Sequence, residues 1–526
     1  MSSETPAPPR SARAIVAFLL LAPVLGWLVW RSWWLCDDAF ISFRYAEHLA
    51  GGIGLRYNPT DPPIEGYSNF LWVVWLAGLR LLGAAIPTAA TWSSAACAFV
   101  LLWLLLRHLA RERPAPLWRL VLAPLVLVTL PPFHTWATSG LATMPAACAL
   151  FAVWELLLGE RGRCRWRAAA AVGALGVLLR ADAVLFLGAV HAGALVAGRL
   201  AKDEELLRGV RRSGFTVVWA FGVQSLFRFL YHGDWIPNTA RVKTGMSAMS
   251  LERGLKYDAE FLLSYAAVPA VLLLALVLPG RGGRAQRWTA GSMVAATFAY
   301  GVYIGGDFMA MGRMLVVALP FAAVLLAGSL ERLAQLRPKA LGAGLAATFG
   351  AACVACSLAA GQGRYVTPES WRERVHFRWN YPEYVTDHTH WLGMVQRAQD
   401  WADLGRALKA NTKPGESLVI GTIGAVGYYS GLHIHDTFGL TNRAGEAAEV
   451  RRKRRSPGHD RHVPMAYFLA QDPTYVGAEL VPPDQPGYML YPHLRPTYEY
   501  ADRIDIRFLP VEGDDRLLRL AFWLGL

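Results

Sequence analysis

A chain of 526 residues that is 54% hydrophobic and only 17% charged, with mean hydropathy +0.28, is not an ordinary soluble domain, where roughly a quarter of residues are charged. It is an integral membrane protein. The net charge of +13 calls for no nucleic-acid partner, because the basic residues gather between apolar runs, as orientation in a bilayer requires.

Residues 1–13, rich in Pro, Ser and Thr, predict a disordered cytoplasmic tail. The first apolar run, 14–34, follows Arg10 and Arg13 and lacks a small-residue cleavage site, so it reads as an uncleaved signal anchor. Further runs lie at 68–84, 88–106, 118–131, 141–159, 168–180, 181–198, 213–230, 259–279, 288–304, 314–330 and 338–360. A spanning helix needs about 20 apolar residues. The basic loops 107–119, 161–167, 199–212, 281–287 and 332–339 all become cytoplasmic if the loop holding Asp37 is external and 68–84 lies parallel to the membrane or re-enters it. The expectation is a multi-span α-helical membrane protein of about 11 transmembrane helices, with an inside N-terminus and an outside C-terminus. Its transmembrane domain is 14–360, with an external loop at 36–67. Residues 361–526 turn polar and form an extracytoplasmic α/β or α+β domain. There, 416–443 reads as strand, short turn or helix, and strand, and 498–509 alternates like a strand. Cys353 and Cys356 form a CxxC inside the last apolar run with no further ligands, which is packing rather than a metal site.

The polar residues that are not orientation signals fall on the expected external side. Asp37 and Asp38 stand at the mouth of the first span, where a charged pair is costly unless it meets water, a metal or a substrate. An ionised Asp can take a proton from an attacking hydroxyl, and a pair can help hold a divalent cation. The plainer reading is capping of the following helix, an amphipathic segment suited to the membrane surface. Arg180, Lys243 and Arg313 stand apart from the cytoplasmic clusters and suit a phosphate, or else snorkel or pair with Asp182 and Asp307. Glu65, Tyr67 and Asn69 can hydrogen-bond a sugar or simply cap a helix; Arg44, Asn238 and Asp307 join them as candidate sugar- or acceptor-binding residues. Trp136 can stack on a sugar or anchor at the interface. His433, His435 and Asp436 read as a strand end rather than a metal site. The basic stretch 451–462 suits lipid phosphates or an acidic glycan, or a solvated loop.

The blocks DDAFISFRYAEHLAGGIGLRYNP and EGYSNFLW, followed by WATSGLAT, LLRADAVLF, YHGDWIPNTARVKTG, GGDFMAMGRMLVVALP and GYYSGLHIHDTFGLTNR, resemble bacterial GT-C glycosyltransferases, in particular the mycobacterial-type terminal arabinofuranosyltransferases. The resemblance runs from about residue 14 to 465. It implies a GT-C fold that takes a sugar, arabinofuranose in the named relatives, from a polyprenyl-phosphate donor on the external face. The family's catalytic acid maps onto Asp37 or Asp38. Relatives often carry a Glu where this chain has Ala142, so a second acidic role is not carried over to that loop. The expectation is an inverting glycosyltransferase of the bacterial inner membrane with a periplasmic C-terminus. It would act on a cell-envelope glycan or glycoprotein acceptor, hold the donor phosphate at Arg180, Lys243 or Arg313, and need no cofactor beyond, at most, a divalent cation. A flippase of lipid-linked saccharides would want similar charges but predicts internal pseudo-symmetry, which the sequence lacks; a non-catalytic anchor for an external binding domain leaves the charged loops without a purpose. Reporter fusions after Gly282 and after Arg364 should report opposite sides of the membrane. Equal locations would overturn the topology.

Overall fold

The computed structural model describes residues 10–112, 117–159, 164–243, 247–280, 283–379, 381–444, 463–484 and 500–525. All twelve apolar runs are helical, as they must be in a solvent that cannot satisfy backbone N–H and C=O groups. Among the described residues five helices are long and apolar enough to cross a bilayer: Ser11–Arg31, Ile86–Arg111, Ala183–Ala201, Arg313–Ala334 and Lys339–Ala360. The pair Ala248–Ser264 and Ala267–Val277 gives a sixth if it is one span, broken by a 91° bend. Leu117–Thr129, Thr143–Leu158 and Trp166–Leu179 are apolar but shorter. The chain is therefore a multi-pass helical membrane protein. Phe70–Leu81 has 12 residues, about 18 Å of helix, which is too short to cross. Residues 1–9, most of the expected tail, lie outside the described residues, and the first described helix begins at Arg10.

The chain forms two compact units. One comprises Met1–Trp34, Ala90–Gln224 and Met246–Trp391. At its centre, Leu319–Ala334 packs against Leu117–Thr129, Ala267–Val277, Arg284–Tyr303 and Lys339–Ala360. The expected boundary at 361 is not where this unit ends. Residues beyond it stay with the helices because Arg378 is buried in ion pairs with Glu260 (2.9 Å) and Asp387 (2.8 Å). Separating a buried pair of this kind costs about 3–5 kcal/mol.

The other unit joins Leu35–Ala89 and Ser225–Gly245 to Leu392–Leu526. Among its described residues the strands are β1 (Ser417–Ile420), β2 (His433–Asp436), β3 (Tyr475–Val481), β4 (Ile504–Val511) and β5 (Asp514–Trp523), in the order β2-β1-β3-β5-β4. β1 runs parallel to β2 and β3, while β5 is antiparallel to β3 and β4. The expected strand, helix and strand of 416–443 are β1, the helix Ala425–Ser430 and β2. Val419, Val476, Phe468, Ala521 and Trp523 form the core beneath the sheet. The basic stretch 451–462 lies outside the described residues.

Candidate active site

In the second unit, the segment after the first span is tied to β1, β2 and the helix between them. The Asp37 Oδ1 accepts the Ala425 N–H at 2.7 Å, so one carboxylate oxygen holds the start of the Ala425–Ser430 helix. Gly424 is required there, since a Cβ would collide with the Asp37 backbone and carboxylate. Asp37 is partly exposed, yet burial pushes its carboxyl up to about 7, against the Ala425 N–H and with help from neighbouring Asp38. Asp38 is half-buried beside it.

Arg44 is 3% exposed and its guanidinium is bonded to the chain. It donates to the Tyr57 carbonyl (2.8 Å), the Gly427 carbonyl (2.5 Å), the Leu432 carbonyl (2.7 Å) and Asn58 Oδ1 (3.2 Å). The Tyr57 hydroxyl donates to the Ile423 carbonyl at 2.5 Å, and Asn58 both donates to the Ile434 carbonyl and accepts its N–H. A Cβ on Gly427 would strike the Tyr57 hydroxyl. Asn238, likewise, donates to the carbonyls of Gly439 (2.9 Å), Leu440 (2.8 Å) and Asn442 (3.3 Å). Both expected sugar- or acceptor-binding residues are thus bonded within the protein.

The Glu65 block is also occupied from within. Glu65 and Arg228 form a buried ion pair, Tyr67 meets His232 Nε2 at 3.3 Å, and Asn69 exchanges hydrogen bonds with Ser42 at 3.1 Å. None of the three is a simple helix cap: no side-chain cap bond forms at Asn69. Asp436 accepts the N–H groups of Phe438, Leu440 and Thr441 and so shapes the turn after β2. His435 is buried, which pushes its imidazole down to about 4. Among the described residues no group of three or more His, Cys, Asp or Glu is placed to hold a metal ion.

The first unit holds two of the expected phosphate ligands. Arg180 sits at the break between Trp166–Leu179 and Ala183–Ala201, where it grips Asp182 through Nε (2.9 Å) and Nη2 (2.5 Å), with the Tyr300 hydroxyl donating to the same carboxylate. Arg313 pairs with Asp307 at 2.7 Å. Arg180, Asp182, Tyr300 and Arg313 line one narrow cleft, with Thr143 and Phe186 among its walls. Its volume is about 10 Å³, room for one water. Among the described residues, the Nη1 group of Arg180 has no hydrogen-bond partner. Lys243 lies in the short helix Asn238–Lys243, and its side chain is outside the described residues.

The loop that delivers Arg313 is held from several sides. Met311 adopts a left-handed backbone (φ 59°), a strained state for a non-glycine residue that costs on the order of 1–3 kcal/mol. Its N–H donates to Asp387 Oδ2 at 3.0 Å, and its carbonyl accepts the Trp136 indole N–H at 3.2 Å. Arg378 Nε donates to the Phe308 carbonyl at 3.1 Å. Gly312 follows with φ 52°, and a Cβ there would enter the Phe261 ring. Trp136 is fully buried beside Trp34, with Arg313 6.0 Å from its ring. It is therefore neither an interfacial anchor nor an exposed sugar platform.

The fold is that of GT-C glycosyltransferases. The chain is similar to ArnT from Cupriavidus metallidurans in the apo state, at 15% identity with 96% of this chain and 97% of that one covered and a TM-score of 0.56. It is similar to the same protein bound to undecaprenyl phosphate, with a TM-score of 0.55, 15% identity and the same coverage. It also resembles the arabinofuranosyltransferase AftD from mycobacteria, with a TM-score of 0.50 and 15% identity over 98% of this chain, which spans 40% of AftD. Residues 390–518 match a family model described as a domain of unknown function, DUF8728. In sequence, no curated protein matches.

The sequence reading missed Tyr57, Asn58 and Arg228. A charged residue inside the apolar run 213–230 was the available signal for Arg228. Replacing Arg44 by Ala leaves several buried carbonyls unpaired, each costing about 1–3 kcal/mol. The Arg44→Ala variant should lose thermal stability and exchange its 423–434 amides faster by hydrogen–deuterium exchange; unchanged protection there would remove Arg44 from this role.

Proposed function

We propose that this protein is an inverting glycosyltransferase of the bacterial inner membrane. It moves a sugar from a polyprenyl-phosphate donor to a cell-envelope glycan or glycoprotein on the periplasmic face. The observation that carries the reading is the pair of arginines lining one cleft in a chain of GT-C fold. The likeness to ArnT bound to undecaprenyl phosphate supports a lipid-phosphate donor, and the likeness to AftD supports arabinofuranose as the sugar. The proposed topology keeps about 11 spans, with residues 361–526 largely extracytoplasmic.

In this mechanism an acceptor oxygen attacks the anomeric carbon of the donor. The bond from that carbon to the phosphate oxygen breaks, and its electron pair leaves with polyprenyl phosphate. The acceptor proton passes to an aspartate carboxylate. Asp37 is the favoured base, because a carboxyl raised to about 7 is better matched to proton abstraction near neutral pH than an ordinary one. Asp38 orients the loop or helps hold a divalent cation, an assignment that chelation and add-back would decide. Arg180 and Arg313, with Lys243 as a third cation, stabilise the charge growing on the departing phosphate. Opening of the narrow cleft, with Asp182 and Asp307 giving way to the phosphate, admits the donor. No nucleotide is required, since the sugar arrives activated.

Arg180→Ala and Arg313→Ala should each weaken donor use about tenfold or more, the equivalent of one charge-assisted contact, while thermal stability in detergent falls less. Donor affinity at the wild-type level in both variants would place the phosphate elsewhere.

Asp37→Asn keeps an oxygen for the Ala425 N–H but cannot take a proton, so single-turnover transfer should fall about 10²–10⁴-fold with the fold intact. The pH profile supplies a second readout. The base is active when ionised, and its folded value is about 7, so kcat/KM should decline as pH drops through 7 and level off above it. A profile flat from pH 5 to 8, or an active Asp37→Asn variant, would move the base to Asp38 or beyond.

A further inference from the structure

A second, wider cavity in the helical unit lies away from the Arg180 cleft. It is bounded by Leu117–Thr129, Ala267–Val277, Arg284–Tyr303 and Leu319–Ala334, and has a volume of about 980 Å³, at the top of the ordinary range for small-molecule sites. Most of its lining is apolar, including Leu272, Leu276, Val294 and Phe298. Its lining includes Arg119, in the first turn of Leu117–Thr129, and Arg284 and Arg287, in the first turn of Arg284–Tyr303, with Glu331, near the C-terminal end of Leu319–Ala334, as the acidic residue among them.

Arg119 lies over the Trp118 ring at 5.2 Å, a contact that leaves its charge without a counter-ion among the described residues. Among the described residues none of the three has an ion pair, and the Arg119 Nε is buried without a hydrogen-bond partner. A buried guanidinium nitrogen left in this state is costly. Glu331 is engaged by Gln335 at 3.1 Å. All three arginines belong to the basic loops 107–119 and 281–287, which the charge pattern assigns to the cytoplasmic side.

We propose that this cleft binds an anionic phospholipid of the cytoplasmic leaflet, with its phosphate at Arg119, Arg284 and Arg287 and its acyl chains along the apolar walls. Charge complementarity selects the occupant. A neutral hydrocarbon would fill the slot but leave three cations unpaired, and a free phosphate would satisfy the cations but leave the slot to water. Arginine forks match phosphate oxygens geometrically, and basic pockets between helices on the cytoplasmic face suit such head groups. The inference does not depend on the transferase reading, because none of these residues lines the Arg180 cleft.

The test uses the full-length protein, delipidated and reconstituted in nanodiscs of phosphatidylcholine with or without phosphatidylglycerol. Binding is read by native mass spectrometry and by thermal unfolding. The wild type should retain phosphatidylglycerol preferentially and unfold at higher temperature with it, whereas R284Q/R287Q should bind it about tenfold more weakly. A second variant keeps the cations and narrows the slot: Gly291 lines the cleft, and a Cβ there meets nothing within 4 Å, so the side chain of Gly291→Phe starts out into open space. It should lose lipid retention with its fold preserved. Equal retention of phosphatidylcholine and phosphatidylglycerol by the wild type would overturn the proposal. So would undiminished phosphatidylglycerol binding in both variants, or selective displacement of phosphatidylglycerol by added polyprenyl phosphate.

Discussion

Irregular backbone in a membrane-associated fold needs hydrogen-bond partners that solvent does not supply, and here two buried arginines provide them. Arg44, 3% exposed, takes the carbonyls of Tyr57, Gly427 and Leu432. Arg378, also 3% exposed, takes the Phe308 carbonyl while pairing with Glu260 and Asp387. Each guanidinium reaches several acceptors at once, which a lysine could not do in the same geometry. The first fixes the segment that carries Asp37 and Asp38; the second fixes the loop that carries Asp307 and Arg313. Positions of candidate chemical groups therefore follow from residues that do no chemistry themselves.

The same constraint explains the strain beside Arg313. A left-handed Met311 persists because Asp387, Trp136 and the rigid surroundings over-determine it. Sites that must present a charge in one direction often carry such a residue. The Arg180 cleft is similarly preset, with Tyr300 and Asp182 fixing one edge of the guanidinium and leaving its Nη1 group available. In this arrangement Asp182 and Asp307 keep the cations oriented in the absence of an anion. A phosphate then competes with carboxylates rather than with bulk water.

Much of the architecture was legible because apolar length and the strand period are local signals. Helices were found in every apolar run, and the β1, Ala425–Ser430 and β2 sequence emerged as read from 416–443. The 91° break after Ser264 had a signal that the reading of 259–279 as one run passed over: Pro269 lies inside it, and a proline ends or kinks a helix. The grouping of 35–89 with 392–526 was not legible, since it depends on hydrogen bonds between residues some 380 positions apart, such as Arg44 with Gly427. At the site, residue type indicated that Arg44, Asn238 and Trp136 mattered but not how. Each was a plausible ligand by chemistry and proved to be packed or bonded within the protein. Asp37 shows the converse: it lies in the first turn of its own helix, Asp37–Ala50, without a side-chain cap bond there, and its Oδ1 instead holds the start of Ala425–Ser430.

The account stands most directly on bond making at the anomeric carbon. Purified full-length protein would be incubated with a synthetic polyprenyl-phosphate sugar, labelled in the sugar, and a cell-envelope glycan acceptor, with both products followed by mass spectrometry. The account predicts stoichiometric release of polyprenyl phosphate and a new glycosidic bond of inverted configuration on the acceptor. Donor that stays intact, whether untouched or merely moved across a bilayer, would contradict it.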